Sequence, residues 1–340
     1  MHLQDRSKPT KMTSTTPPTM RAIVQPDAYS TDLILTTVPT PTPQLNTIEH
    51  LIKVHAVSPC NGELLWPPHF PPSQTRTFIP CPDFAGTVVS APDDSPFQPG
   101  SEVYTRANYF RNGAGSEYTL ATTEELAVCP QGLSWTERAA IPLSSLTAWQ
   151  ALFVHCGIGD MHSGEWKGKR VLVTGASGGV GAWVVQLARL AGARVIGTCG
   201  GDNAGFVKGL GCEEVLDYRS TDMKVWAEAL EEKIDVVLDC VGKKSLADAW
   251  WTVKDGGILL SIFQSPGDLR PQECEVKDVR DIFFIMEPNG EHLAALTRLV
   301  EEGKCRGFVD SIWPLEQFEE AFRKVETGHA RGKVVIELST

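Results

Sequence analysis

No stretch of this 340-residue chain has the roughly 20 consecutive apolar residues that a membrane-spanning helix needs. Basic charge is also short, with 31 Lys and Arg against 42 Asp and Glu and a net charge of -11. That balance argues against nucleic acid or an anionic membrane as a partner. The nine cysteines are odd in number and scattered, and none forms a Cys-x-x-Cys pair. They read as reduced thiols, not as a disulfide framework. Residues 1–19 carry Thr, Pro, Lys and Ser but no apolar core for a secretory signal, and are expected to be a disordered extension. Together these absences predict a cytoplasmic chain whose partner is a small molecule.

What the sequence does have is one run of high information, RVLVTGASGGVG from 170 to 181. Four mostly apolar residues read as a buried parallel strand. A turn of small residues follows, Ala176, Ser177, Gly178, Gly179, Val180 and Gly181, and then a helix through 190. This is the dinucleotide-binding pattern with Ala at the first glycine position. Gly178 lets the backbone approach a pyrophosphate, Gly181 lets the helix pack on the strand, and the helix N-terminus offers free N–H groups to the phosphates. A second strand at 194–198 follows, as a βαβ unit requires.

Before that run the pattern is all β. Short strands are expected at 21–24, 33–36, 50–57, 81–90, 101–105 and 116–121, and the frequent prolines exclude long helices there. Their close spacing suggests a small barrel-like domain. Helical segments are expected from 136 and over 143–156. From 169 strand and helix alternate, with further strands at 215–218, 234–239, 257–263 and 281–286. Helices at 291–302 and 315–326 and a last strand at 333–338 complete the reading.

Several blocks join the nucleotide turn in a fixed order. They are PTP at 39–41, CPDFAGTVV at 81–89, GAGSEY at 113–118, AAIP at 139–142, LTAW at 146–149 and GHARGKVV at 328–335. Over nearly the whole chain this set resembles the medium-chain dehydrogenase/reductase superfamily, in its zinc-independent quinone oxidoreductase (zeta-crystallin-like) branch. The resemblance implies an α/β fold: a GroES-like β domain plus a Rossmann domain with a doubly wound parallel sheet. The expected division is 20–143 with 287–340 for the first and 144–286 for the second, with the active site in the cleft between them.

It also implies where chemistry sits. The catalytic zinc ligands of the superfamily fall here on Ser58, Pro82 and about Leu143, and Pro82 and Leu143 cannot bind zinc. No metal is expected. Without a Lewis acid, hydride transfer to an activated C=C or a quinone is favoured over simple alcohol oxidation. The second strand of the nucleotide domain ends Cys199-Gly200-Gly201, with no carboxylate for a ribose 2′-OH. Gly200, Tyr218 (at the family's NADP-binding tyrosine position) and Arg219 therefore point to NADPH, with Asp202 as a counter-signal. The segment 57–66 is similar to an Asn-Pro-x-Asp cleft motif, with Ser58 and Asn61 at its polar positions. Either is a candidate hydrogen-bond donor to substrate or a turn residue around Pro59. Thr147 resembles a threonine that touches the nicotinamide. Cys240, Val241, Ile262 and Phe263 follow parallel strands, and Phe284 lies in an apolar stretch of the nicotinamide pocket or the dimer edge. Trp66, Phe70, Tyr104 and Trp149 are candidate walls of an apolar pocket, or plain core. The proton donor is unassigned. The sequence thus predicts a homodimeric, NADPH-dependent quinone, enone or enoyl reductase. The alternatives are a dinucleotide-binding homologue with a non-redox role, pericyclase-like or purely binding, and a trans-acting enoyl reductase serving a polyketide synthase.

Overall fold

A computed structural model describes residues 16–69 and 78–338. Residues 1–15 of the expected extension lie outside these. Order begins earlier than expected, since β1 (Thr19–Val24) pairs antiparallel with β2 (Ile34–Pro39).

The first large sheet is built from β3 (Glu49–Ser58), β4 (Asp83–Ser90), β5 (Glu102–Arg106), β6 (Tyr118–Thr122) and β7 (Ala127–Val128). Two strands from the far end of the chain complete it, β14 (Val309–Pro314) and β15 (Lys333–Glu337). The order is β14-β15-β3-β4-β5-β7, with β6 added on β3. Between β7 and the second sheet lie α1 (Trp135–Ala139) and α2 (Pro142–Gln150). The first is started by a capping box, in which Ser134 and Glu137 satisfy each other's backbone N–H. The second has Pro142 at its first turn, where a missing N–H costs nothing, and runs across the expected junction at 143/144. The helix expected over 143–156 ends in a π-helical turn, Ala151–His155.

The second sheet is six-stranded and wholly parallel. Its strands are β8 (Arg170–Val173), β9 (Arg194–Cys199), β10 (Glu214–Asp217), β11 (Ile234–Asp239), β12 (Val253–Ser261) and β13 (Arg280–Phe283). The order β10-β9-β8-β11-β12-β13 is the doubly wound one, reversing direction between β8 and β11. Strands buried on both faces read as continuous apolar runs, and Val171, Leu172, Val173, Val236, Val237 and Leu238 are all buried. The crossovers are α3 (Gly179–Leu190), α4 (Ala204–Leu210), α5 (Met223–Glu228) and α6 (Lys243–Ala249). Then α7 (Gly290–Glu301) packs on β7 and α2, and α8 (Phe318–Glu326) covers β14 and β15. In α8 the buried residues Phe318, Ala321, Phe322 and Val325 recur at helical spacing.

Two expected strands differ. The one expected at 281–286 ends at Phe283, after which Phe284 and Met286 turn into the core. The one expected at 257–263 starts at Val253 and ends at Ser261. The Rossmann-plus-sheet architecture expected from the sequence is the one observed.

Candidate active site

At the reversal between β8 and β11 the two βα turns leave a crevice, the place where ligands bind in such sheets. It forms a cavity of about 660 Å³. Its floor is the turn after β8. Gly175 has φ +62° and Gly178 caps α3. A Cβ on Gly181 would fall inside the carbonyl oxygen of Gly175, so only glycine lets α3 start so close to the turn. The first bond into α3 is from Ala182 N to Gly178 O, 3.0 Å. Gly179, Val180 and Gly181 therefore have no intrahelical acceptor for their N–H groups, which face the crevice end of the helix. The residues present fit a dinucleotide, because the cradle is one that a side chain would fill.

The rim of the cavity carries Gly200, Asp202, Tyr218 and Arg219 on one side and Cys240, Val241 and His329 on the other. The Arg219 guanidinium lies against Gly200, 3.3 Å from where a Cβ would sit, and 5.6 Å from the centre of the Tyr218 ring. Its Nη1 is 3.9 Å from Asp202, whose carboxylate is almost fully exposed. Three expected residues, Gly200, Tyr218 and Arg219, are thus brought together.

One residue beneath this rim escaped the sequence reading. Asp239 is fully buried at the end of β11 and accepts four hydrogen bonds. Thr174 Oγ1 (2.7 Å) and Ser245 Oγ (3.1 Å) donate to Oδ1; Gly242 N (2.8 Å) and Ser261 Oγ (3.0 Å) donate to Oδ2. The carboxylate ties together the ends of β8, β11 and β12. It fixes the loop of Cys240 and Val241, and Ile262 N donates to its backbone oxygen at 3.1 Å. Phe263 packs its ring on Gly242 and is 46% exposed. An Asp closing a buried apolar strand was the available signal.

The structure places the other expected residues as follows. Ser58 is fully buried and donates its hydroxyl to Val334 O at 2.6 Å, so it has no proton left for a substrate. Asn61 Nδ2 donates to Val325 O at 3.0 Å. Both fasten the segment after β3 to the chain's returning end. Thr147 Oγ1 donates to Leu143 O at 2.6 Å, inside α2. Tyr104 is no pocket wall: it is fully buried, with its hydroxyl 2.8 Å from Thr297 Oγ1. Phe284 is buried beside His155, ring centres 4.2 Å apart, and does not line the crevice. Trp149 packs edge-on to Phe153 at 5.0 Å. Trp66 does line a cavity, edge-on to Tyr109 at 5.4 Å. Phe70 lies outside the described residues.

Where the superfamily's zinc ligands would fall, the donor set does not fit a metal. Ser58 is engaged as above, and Pro82 and Leu143 offer no side-chain donor. Leu143 N donates instead to Asp83 Oδ1 at 2.6 Å. Lys333 places its ammonium 3.2 Å from Asp83 Oδ2 and donates to Pro59 O at 3.0 Å. A fixed ammonium repels a cation. Among the described residues no three His, Cys, Asp or Glu side chains are placed to hold one. Lys333 also presses its Cδ on Gly179, 3.1 Å from a Cβ position, which joins this cluster to the nucleotide turn. Beside it Glu63 is buried, accepts from Cys81 N at 3.2 Å, and is pushed up to about 8 by burial.

The family described as zinc-binding dehydrogenase matches residues 210–336. A probable zinc-binding oxidoreductase, mitochondrial, from Arthroderma benhamiae is 50% identical over 325 residues, 95% of this chain and 98% of that protein. The quinone-oxidoreductase QR1, chloroplastic, of Triphysaria versicolor is 33% identical, over 94% of this chain and 98% of its own length. Among solved structures, a quinone oxidoreductase from Coxiella burnetii matches with TM-score 0.76 at 28% identity, covering 94% of this chain and all of that one. The expectation of a cytoplasmic protein is overturned by these relatives, whose names place them in mitochondria or chloroplasts. With the crevice, the doubly wound sheet and these likenesses in agreement, the chain belongs to the zinc-binding dehydrogenase family of the medium-chain dehydrogenase/reductase superfamily and is an oxidoreductase.

Proposed function

We propose that this oxidoreductase uses NADPH to reduce a conjugated C=C or a quinone without a metal. The reading rests first on Arg219, which lies over Gly200 beside Tyr218 at the ribose end of the crevice. Two carboxylates compete there: Asp202 points into solvent 3.9 Å from the guanidinium, and Asp217 Oδ1 is engaged by Arg219 N at 3.0 Å. In this reading Ala176, Ser177, Gly178, Gly179, Val180 and Gly181 hold the pyrophosphate. Gly200, Tyr218 and Arg219 hold the phosphorylated ribose, and Thr147, Cys240, Val241, Ile262 and Phe263 surround the nicotinamide. When bound, the dinucleotide supplies the hydride. The chain's own residues supply its orientation. Lys333 contributes a fixed charge beside the nucleotide turn: burial disfavours its ammonium, but the Asp83 carboxylate outweighs that and holds it in the charged form. Glu63 keeps a proton near neutrality and is the group best placed to carry one. The working domain division is 20–143 with 287–340, and 144–286. The molecule is proposed to be a homodimer through the β13 edge. Oxidation of NADPH and NADH followed against quinones, enones and enoyl thioesters tests the reading. Reduction of an enone or quinone with an NADPH preference supports it. Turnover of alcohols alone overturns it.

A further inference from the structure

Arg106 closes β5 with its whole side chain out of solvent, and Nε, Nη1 and Nη2 have no hydrogen-bond partner among the described residues. A guanidinium left so is expensive, because burial removes its water and no hydrogen bond repays the loss. Nor does the neighbourhood neutralise it. Asp83, its partner across β4 and β5, is already held by Lys333 and by Leu143 N. Glu63, on the same wall, holds its proton up to about pH 8. Arg111, also on the wall, is paired with Glu125.

Beside the guanidinium lies a cavity of about 60 Å³ lined by Glu63, Trp66, Arg106 and Tyr109. The guanidinium carbon is 3.2 Å from the centre of the Tyr109 ring and 5.9 Å from that of Trp66. The Tyr109 ring is held in turn by its hydroxyl donating to Met286 O at 3.1 Å. Stacking covers the face of the guanidinium and leaves its in-plane N–H fork free. That fork matches the two oxygens of a carboxylate. The cavity has room for a group of that size. It lies one strand from Asp83 and Lys333, and Lys333 touches the nucleotide turn at Gly179.

We propose that Arg106 anchors a carboxylate on the substrate, so that the chain takes a conjugated carbonyl compound bearing a carboxylic acid; as a statement about substrate, this rests on the reductase reading above. The stacked rings act as the slot for the planar group, and the proton-bearing Glu63 is a second donor to it.

The test uses trans-4-oxo-2-pentenoate and its methyl ester, titrated calorimetrically into the full chain with NADP+ present so that nothing turns over. The acid is expected to bind at least about tenfold tighter than the ester. Arg106→Met should erase that preference, and Arg106→Lys should keep part of it. Equal binding of acid and ester by the parent overturns the proposal. Thermal unfolding supplies the second measurement. Removing an unsatisfied buried charge should leave the melting temperature of Arg106→Met unchanged or raise it. A clear fall, or failure to fold, overturns the proposal in favour of a structural cation. Turnover with NADPH separates the two readings: an acid that binds through Arg106 but is not reduced sinks the reductase and keeps the anchor. Reduction of both compounds with no role for Arg106 does the reverse.

Discussion

In the proposed reading a single guanidinium, that of Arg219, sets the cofactor preference. A charge-assisted hydrogen bond to a 2′-phosphate contributes about 1.5–3 kcal/mol, roughly tenfold to a hundredfold in affinity. Arg219→Ala should weaken NADPH by that factor and leave NADH nearly unchanged, as measured by fluorescence titration. Equal losses would remove Arg219 from the ribose site. Glu63 gives a pH signature. Its folded carboxyl is raised to about 8, with burial as the main cause, whereas an unfolded Glu loses its proton at about 4.3. Between these values the folded state binds the extra proton. Stability therefore falls as pH rises across that window, by up to about 1.4 kcal/mol per pH unit, and levels off above it. The groups facing Glu63 are Lys333, Asp83, Cys60 and Cys81. Denaturant unfolding from pH 5 to 9 should show a shallower slope in Glu63→Gln than in the parent. Identical slopes would assign the proton elsewhere. Neither Glu63 nor Arg106 was legible beforehand. A lone charged residue beside a β pattern reads as solvated, and only the tertiary packing of β5 against the segment after β3 takes them out of water.

For elements, the turn before α3 offers a contrast between two glycines. A Cβ on Gly178 meets only Gly175 O, at 3.3 Å, and so asks for a small adjustment. Gly178→Val should fold with little change in melting temperature yet lose dinucleotide binding, since its side chain enters the pyrophosphate space. Gly181→Ala should lose both, because its Cβ collides with the backbone of Gly175. A Gly181→Ala protein as stable as the parent would contradict the packing described. Asp239→Asn replaces an acceptor of four hydrogen bonds with a group that must point donors at donors. It should cost about 1–3 kcal/mol in chemical denaturation. The same elements show what sequence can reveal. Parallel strands such as β8 and β11 are covered on both faces and announce themselves as apolar runs, and the α3 turn is dictated by sterics. The strand β14 was missed. It is an edge strand, half-exposed throughout, with Asp310 inside it and Pro314 at its end, so it presents no such run. Tyr104 was misplaced among pocket walls because an aromatic in a strand looks alike whether it faces a cleft or a helix. Here α7 supplies its partner, Thr297. Ser58 and Asn61 matched a cleft motif whose hydrogen bonds run to residues more than 260 positions away. No local pattern encodes that.

For the whole molecule, β13 is the outer strand of the parallel sheet. Phe283 and Ile285 stand about half exposed at its end. An apolar edge of this kind invites pairing with a second copy, and a two-fold axis would bring the same edge from each copy together. Sedimentation at micromolar protein should give a dimer, and Phe283→Lys should shift it to monomer with the fold intact by circular dichroism. A monomeric parent would end that proposal.

The returning end of the chain laps the nucleotide turn, with Gly332 N donating to Ser177 O at 3.1 Å and Gly178 and Gly332 forming a bridge. This has a consequence for how the protein is made. Ser58 Oγ reaches Val334 O across 276 positions, and the Lys333–Asp83 pair spans a similar interval. Closing such loops is slow, and during synthesis the early domain emerges well before its last strands. Until β15 leaves the ribosome, the end of β3 at Ala56 and Val57 lacks its partner strand and Asp83 lacks its ammonium partner. The nascent chain is thus at greatest risk of misassembly late in translation. Cofactor competence should appear in one step, when the last strand docks, rather than when the nucleotide sheet first folds.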